Sequence, residues 1–411
     1  MVIASDYQET DFGIFPKDWS IKYIPEIILK RDGIKIGPFG SQLKRELLTN
    51  DGYKVYGQEN VYEKNMTTGN RYINKEHFER LKGCELKSGD FIISMMGTIG
   101  KTMIVPEPIQ EGIMDSHLLR LRLNQDIIYP PLLQHYFSST ILLNQISQLS
   151  VGGIMDGLSS KIIKNVHIHL PPTKSEQTTI ATALSNAGTL ISSLEKLIEK
   201  KRAIKHGAMQ QLLNPKDGWM MTKLGEIASI QRGASPRPID SPIWFDESSK
   251  VGWVRISDVT KSVKYLFETA QKLSEEGIKN SRYVQAGELI MSICATIGRP
   301  ILTAIDVCIH DGFVVFYKPM VDKEFLYYSL TYIEEEWAKT GQTGSQMNLN
   351  TDIIQTRTLA FPKEIREQRL IVETLSDMDD EILVLNQKLS KYKMLKQGMM
   401  QELLTGKTRL I

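Results

Sequence analysis

The run Gly97-Thr98-Ile99-Gly100-Lys101-Thr102 ends like a phosphate-binding loop, where backbone amides and a lysine cradle a nucleotide's phosphates. The first glycine of such a loop belongs at position 95, and Met95 stands there. Later in the chain Ala295-Thr296-Ile297-Gly298-Arg299-Pro300 keeps Thr-Ile-Gly and loses Lys-Thr. A shared turn accounts for both copies, whereas a nucleotide site accounts for one of them badly. His167 and His169 alternate along a strand-like run and share one face. Without a third or fourth ligand nearby they read as surface or packing residues, not as a metal site. His117 and His310 follow strands, with Asp115, Ser116 and Asp311 close by, but no serine in a strained elbow and no repeated acid pair accompanies them. An amino-methyltransferase needs Asn/Asp-Pro-Pro-aromatic to hold a flipped base; the nearest string, Asn214-Pro215-Lys216-Asp217, lacks the second proline and the ring. No catalytic constellation emerges.

What remains is binding chemistry. One turn-rich loop carries Ser41, Gln42, Lys44 and Arg45, and a second carries Gln231, Arg232, Ser235 and Arg237. Adjoining strand edges are expected to present Gln58 and Asn60 in one place and Arg255, Ser257 and Asp258 in the other. Lys101 and Arg299 close the two Thr-Ile-Gly turns. Arg, Gln and Asn match base edges two hydrogen bonds at a time, and Lys and Ser commonly hold phosphates. An ordinary solvated loop explains any one of these residues. Their recurrence at the same place in two copies, with different sequences, points to two different recognition sites on one scaffold.

The elements that position these loops come in duplicate. Glu176-Gln177 returns as Glu367-Gln368, Lys205-His206-Gly207 as Lys396-Gln397-Gly398, and Gln210-Gln211-Leu212-Leu213 as Gln401-Glu402-Leu403-Leu404, each 191 residues on. Upstream, Gly89-Asp90-Phe91 answers Gly287-Glu288-Leu289 at a shift of 198, and Pro16-Lys17-Asp18-Trp19 answers Pro215-Lys216-Asp217-Gly218-Trp219. A period of this length is a whole module in tandem, since solenoid units run at about 20–50 residues. Each unit opens on a Trp-led amphipathic stretch and then a loop broken by Pro and Gly. Strand-like runs follow at 53–58, 91–95 and 118–123, and again at 252–257, 289–293 and 313–317. Helices are expected over 131–149 and 324–340. Glycine-bearing loops at 151–158 and 340–347 lead to short strands ending at Leu170-Pro171 and Phe361-Pro362. The mixture predicts an α+β module with a twisted sheet.

A long helix follows each module. Ile371, Leu375, Met378, Ile382, Leu385, Leu389 and Tyr392 step by 4 and 3, as a coiled-coil seam requires, with Lys396 in the one missing slot. Ile180, Leu184, Ile191, Leu194 and Ile198 form the equivalent stripe, followed by Lys201 and Lys205, and Leu190, Leu197 and Ile204 widen its apolar face. Glu176 and Glu367 stand at the helix starts, where negative charge is favourable. At about 35–40 residues each helix spans roughly 55 Å, longer than packing on one small domain needs. Two such helices can seal each other's seams as an antiparallel pair, with the modules at opposite ends related by a pseudo-twofold axis. The expected boundaries are 1–172 and 215–362 for the modules and 173–214 and 363–411 for the helices.

Composition sets limits without choosing a function. The 411 residues carry a net charge of +2 and three scattered cysteines without a CxxC pair. That fits a reducing cytosol and supports neither a disulfide framework nor a zinc site. No apolar run is long enough to span a membrane, and the N-terminus has no secretory pattern. Near-neutral charge neither demands nor excludes nucleic acid, because a local basic face is what counts.

In this order and in duplicate, four markers make the chain resemble the specificity subunits of type I restriction–modification systems over essentially its whole length. They are Gly13-x-x-Pro16-x-x-Trp19, Ser-x-x-x-Thr-Ile-Gly-Lys/Arg, Pro-x-x-x-x-Glu-Gln and Lys-x-Gly-Met/Ala-Met-Gln-x-Leu-Leu. The resemblance implies two target-recognition domains, each reading half of a split, asymmetric DNA sequence. It implies long helices that act as spacer and dock two methyltransferase subunits and, in the full complex, restriction/translocase subunits. It also implies a cytoplasmic chain that catalyses nothing itself, with S-adenosylmethionine, ATP and Mg²⁺ held by the partners. A spacer of roughly 55 Å limits the half-sites to a separation of about 16 base pairs. The competing readings are a stand-alone DNA methyltransferase or nuclease with a degenerate motif, and a coiled-coil adaptor that binds no DNA.

Overall fold

The computed structural model describes residues 6–10, 13–98, 100–150, 158–340 and 349–410. The glycine-bearing loops expected at 151–158 and 340–347 therefore lie almost wholly outside the described residues, as does Ile99 of the first Thr-Ile-Gly turn. The chain forms two compact units: Met1–Leu194 together with Lys388–Ile411, and Glu195–Gln387.

In the first unit a four-stranded antiparallel sheet runs Ile34–Ile36, Leu118–Leu121, Phe91–Ser94, Thr102–Ile104 in spatial order. In the second, Ser229–Arg232, Phe313–Tyr317, Leu289–Ser292 and Pro300–Thr303 repeat that order, and Tyr265–Leu266 adds a parallel edge strand. Phe91–Ser94 and Leu289–Ser292 are buried at every position, so they read as continuous apolar runs. A smaller sheet accompanies each: Tyr53–Tyr56 between Tyr72–Ile73 and Gly112–Met114 in the first, and Gly252–Val254 with Gln271–Lys272, Val307–Ile309 and Arg282–Val284 in the second. Each module closes on itself when a strand near its start pairs with its last, Ser20–Tyr23 with His167–Leu170 and Met220–Lys223 with Thr358–Phe361.

The helices expected over 131–149 and 324–340 are each broken in two. Pro130–Phe137 ends where the Ser139 hydroxyl donates to the Tyr136 carbonyl, and the same hydroxyl accepts from Leu142 N–H at the start of Thr140–Ser150. Lys323–Tyr332 likewise gives way to Glu334–Thr340.

The long helices run Lys174–Leu213 and Ile365–Leu403. Both serve each unit. In the first, Ile180 and Leu184 join a core that Leu403 and Leu404 complete; in the second, Ile371 and Leu375 join one completed by Met209 and Leu213. Burying one such leucine contributes about 2 kcal/mol, which explains why the duplicated Leu-Leu pairs end the helices. Within the second unit the partners fall on one helix as they rise on the other, Lys201 with Glu381 and Lys205 with Asp379, so the helix segments are antiparallel. The first unit shows the same sense, with Lys396 over Gly188 and Leu403 near Ile180. The expected stripe is the inward one. Ile180, Leu184, Leu194, Ile198, Ile371 and Leu375 are buried, and Ile191, Met378, Ile382, Leu385, Leu389 and Tyr392 half-buried between exposed neighbours. Leu190, Leu197 and Ile204, which widen the apolar face, are exposed.

The Glu-Gln motif at each helix start has a structural role beyond favourable charge. Gln177 accepts from Tyr129 N–H and donates to the Ile127 and Pro171 carbonyls, and Gln368 accepts from Asp322 N–H and donates to the Pro362 carbonyl. One amide thus ties each helix start to its own module.

Candidate nucleic-acid interface

Both candidate loops spring from the same anchor. Gly37 N–H donates to the Leu118 carbonyl and Gly233 N–H to the Phe313 carbonyl. A Cβ on Gly37 would lie 1.8 Å from the Asp115 carbonyl oxygen, and one on Gly233 would lie 2.0 Å from that of His310. Only glycine lets the backbones approach this closely. Past the anchor the loops diverge. The first coils into two 3₁₀ turns, Gly40–Leu43 and Arg45–Leu47, with Leu43 and Leu48 packed inward and Gln42, Lys44 and Arg45 exposed. The side chain of Ser41 lies outside the described residues.

In the second unit the loop residues converge on one aspartate. Ser235 Oγ donates to Asp311 Oδ1 at 2.7 Å, Arg237 Nη2 lies 3.5 Å from Oδ2, and Arg232 Nε donates to the Asp311 carbonyl at 2.8 Å. The Ser235 hydrogen bond holds the Asp311 carboxyl below its ordinary range. Beside it, burial pushes His310 down, with Asp311 opposing the shift, so the ring is neutral at pH 7. The first unit replaces this with an ion-pair chain: Arg71 Nη2 reaches Glu59 at 2.8 Å and the buried Asp115 at 2.9 Å, and His117 Nδ1 stands 3.6 Å from Asp115. Sequence reasoning named Asp115, His117, His310 and Asp311 for their proximity to strands. It missed Glu59 and Arg71, for which no local signal existed.

The residues expected on strand edges sit elsewhere. The strands stop at Tyr56 and Val254, and short helices follow over Gln58–Glu63 and Ile256–Lys261. Asn60 is 0% exposed, accepting from Gly57 N–H and donating to the Asn65 and Thr68 carbonyls. Asp258 is 6% exposed and accepts from the N–H groups of Arg255 and Ala270. Both are returning carboxamide or carboxylate caps, so their polar atoms are committed inside the fold. Gln58 is half-buried and accepts from Tyr62 Oη; Ser257 is exposed. Arg255 lies over the Trp253 ring and donates to Gln271, which fixes its guanidinium.

The described residues flanking the two Thr-Ile-Gly turns repeat the same bonds and backbone angles. Ser94 Oγ donates to the Thr98 carbonyl and accepts from Lys101 N–H, and Ser292 Oγ donates to the Thr296 carbonyl. Gly100 and Gly298 take φ of 77° and 80°, and Gly97 and Ala295 take 65° and 58°. The serines close a tight turn. Lys101 is exposed, and Arg299 is half-buried with Nη2 donating to the Ser262 carbonyl.

His167 and His169 take no part in this face. His169 is buried, stacked on Phe15 with ring centroids 3.3 Å apart, and burial beside His167 lowers its pKa to about 4. Among the described residues no group of three or more His, Cys, Asp or Glu side chains is placed to hold a metal ion, and no helix is long and apolar enough to cross a membrane.

Comparison with known proteins agrees with the duplication. The family described as type I restriction modification DNA specificity domain matches residues 18–205 and again 216–392. The chain is similar to the putative type I restriction enzyme MjaX specificity subunit of Methanocaldococcus jannaschii, 24% identical over 98% of this chain and 97% of that protein. It is 25% identical to the MjaVIII specificity subunit of the same organism, over 73% of this chain and 75% of the relative. Among solved structures, one reported for complex assembly and conformational transition of a type I R-M system matches 96% of this chain and 99% of its own at a TM-score of 0.62 and 16% identity. The S subunit of a type I system from M. genitalium matches 98% of each chain at 0.58 and 14%.

Proposed function

The chain belongs to the type I restriction–modification DNA specificity family, and from that premise we propose that its two modules each read one half of a split, asymmetric DNA target. The duplicated glycine anchor with unlike loops carries this reading. Gly37 and Gly233 fix two loops at one place on one scaffold, and the exposed side chains beyond them differ. Unlike loops read unlike bases, so the target is not a palindrome. The contacting residues are the exposed Gln42, Lys44, Arg45 and Lys101 in the first module, and in the second the exposed Arg232, Arg237 and Ser257 with the half-buried Ser235 and Arg255. Asn60 and Asp258 shape the turns beneath them, and Gln58 and Arg299 stand partly withdrawn. Arginines already held by Asp311 and Gln271 meet DNA with less ordering cost than free ones.

Catalysis belongs to partner subunits. Two methyltransferase subunits, and restriction/translocase subunits in the full complex, carry S-adenosylmethionine, ATP and Mg²⁺ and work with this chain in the cytoplasm. The exposed apolar residues of the long helices, Leu190, Leu197, Ile204, Leu383 and Val384 among them, supply the docking surface. Near-neutral net charge fits a reader that relies on its partners for much of the phosphate contact.

The test is copurification of the full chain with the products of neighbouring genes, followed by methylome sequencing of cells carrying the set. Recovery of a methyltransferase, with a split asymmetric methylation motif that vanishes on deletion of this gene, is the expected result. A copurifying partner with an unchanged methylome transfers the chain to the adaptor class, and methyl transfer by the purified chain alone makes it an enzyme.

A further inference from the structure

The glycine anchors also fix which residues of the two modules correspond. Leu118 and Phe313 answer each other as acceptors from Gly37 N–H and Gly233 N–H, and His117 and Gly312 as acceptors from Met95 N–H and Ile293 N–H. The same turn closes between these points in both copies, with Leu118 N–H donating to the Asp115 carbonyl and Phe313 N–H to that of His310. In this register Asp115 answers His310, and Ser116 answers Asp311. The acid has moved by one place. The Asp115 side chain is 6% exposed and paired with Arg71, whereas the Asp311 side chain is 45% exposed.

A carboxylate on a face that meets phosphates is repelled unless it finds a donor there. Asp311 is held ready for one. Its Oδ1 accepts from Ser235 Oγ at 2.7 Å, and Arg237 Nη2 stands 3.5 Å from Oδ2. His310 Nδ1 lies 3.7 Å from Oδ1 but itself accepts from Gly312 N–H, so it has no proton to give. The Ser235 and Arg237 contacts occupy only part of the about four acceptor sites of a carboxylate. In the major groove cytosine offers only its exocyclic amino donor, while adenine sets a ring-nitrogen acceptor beside its amino group. Guanine and thymine present carbonyl acceptors, which repel a carboxylate. Given that the second module reads DNA, we propose that Asp311 is its specificity determinant for a C·G pair, accepting from the amino group of cytosine. Ser235 and Arg237 position the carboxylate, and the arginine's charge offsets repulsion from the phosphates. The first module has no such determinant at this turn, since Ser116 carries a hydroxyl and Asp115 is committed to Arg71.

The chain is expressed with its neighbouring methyltransferase, and methylomes are sequenced for the unaltered set, Asp311→Asn and Ser235→Ala. Asparagine keeps an acceptor for Ser235 and puts an amide donor where the second oxygen was, so the loop keeps its strut while cytosine loses its partner. The expected result is a split motif with a fixed C·G pair in one half, altered at that position alone in Asp311→Asn and unchanged in Ser235→Ala. An unchanged motif in Asp311→Asn overturns the inference and leaves the modules as readers. An unaltered chain that directs no split motif overturns that reading, and the inference with it. Binding decides the case in which Asp311→Asn methylates nothing. Each fixed cytosine of the motif is replaced in turn by a pyrimidinone that lacks the amino group, and affinity of the purified complex is read by fluorescence anisotropy. One replacement is expected to weaken the unaltered complex roughly tenfold and to leave the Asp311→Asn complex unaffected. If no replacement separates the two complexes, Asp311 reads no cytosine.

Discussion

The guanidinium of Arg409 closes on the carboxylate of Glu176, with Nε 2.5 Å from Oε1 and Nη2 2.9 Å from Oε2. Glu176 is 3% exposed and begins the central helix; Arg409 also grips Asp18 at 3.1 and 3.0 Å and lies over the Trp19 ring. The chain's last residues thus hold the start of the first module. Arg409→Gln leaves a buried carboxylate without its partner and is expected to cost about 3 kcal/mol in urea unfolding. In the second unit the Glu367 carboxylate, among the described residues, accepts only from Trp219 Nε1, so Glu367→Gln is expected to cost under about 1 kcal/mol. Equal losses from the two substitutions contradict the assignment.

Gln368 bridges Asp322 N–H and the Pro362 carbonyl from a buried position. Gln368→Ala strands both groups and is expected to destabilise by about 2 kcal/mol. Gln368→Glu keeps the acceptor but turns a second oxygen toward the Pro362 carbonyl, so it is expected to be at least as damaging near neutral pH. A Glu variant as stable as the parent removes the bridge from the account.

The duplication was legible from short motifs that return 191 residues on, the strand Phe313–Tyr317 from its unbroken apolar run, and both helix seams from their 3 and 4 spacing. The breaks at Ser139 and Ile333 were not; at Ser139 the interruption comes from a hydroxyl that donates to the Tyr136 carbonyl and accepts from Leu142 N–H. At the site, the glycines marked the loops, but the pressure of Gly37 on Asp115 arises between residues far apart in sequence. Asn60 and Asp258 were placed on strand edges because their types suit base recognition. The same types at the third helical position return to the residue before the helix, and Gly57-x-x-Asn60 and Arg255-x-x-Asp258 carry that spacing. The Leu-Leu pairs read as helix ends, and only the fold shows that each plugs a module core.

Acidification is expected to weaken the first unit through His169. Its folded pKa, lowered to about 4 chiefly by burial, lies below the unfolded value near 6.5, so the unfolded chain takes the proton first. Stability from this group is full above about pH 6.5, declines as pH falls toward 4, and levels off below. At pH 5.5 the loss is about 1 kcal/mol, and His135, also near 4, adds a loss of the same sign. His169→Phe keeps a ring against Phe15 and is expected to lose about 1 kcal/mol less than the parent between pH 7.5 and 5.5. Urea midpoints at the two pH values measure it, and parallel losses in both proteins exclude His169 as the cause.

Leu385 lies in the half-buried stripe of Ile365–Leu403. Proline there removes a backbone donor and costs about 3 kcal/mol in a helix interior. Leu385→Pro is expected to abolish recovery of partner subunits in a pull-down, while Leu383→Gln, on the exposed face, alters partner recovery without breaking the helix. Full assembly with Leu385→Pro shows that the continuous helix is not what the partners grip.

Specificity is expected to move with the module, not with the chain. Residues 217–362 hold the second anchor, its loop and the Asp311 cluster, and the paired strands Met220–Lys223 and Thr358–Phe361 bring the ends of that segment together. A segment whose ends pair can be exchanged without disturbing either long helix. Replacing it with the corresponding segment of another family member should change one half of the methylated motif and leave the other half intact, as read by methylome sequencing. If both halves change, base recognition is shared between modules. If neither changes, the loops beyond Gly233 do not read DNA, and the first unit alone sets the sequence.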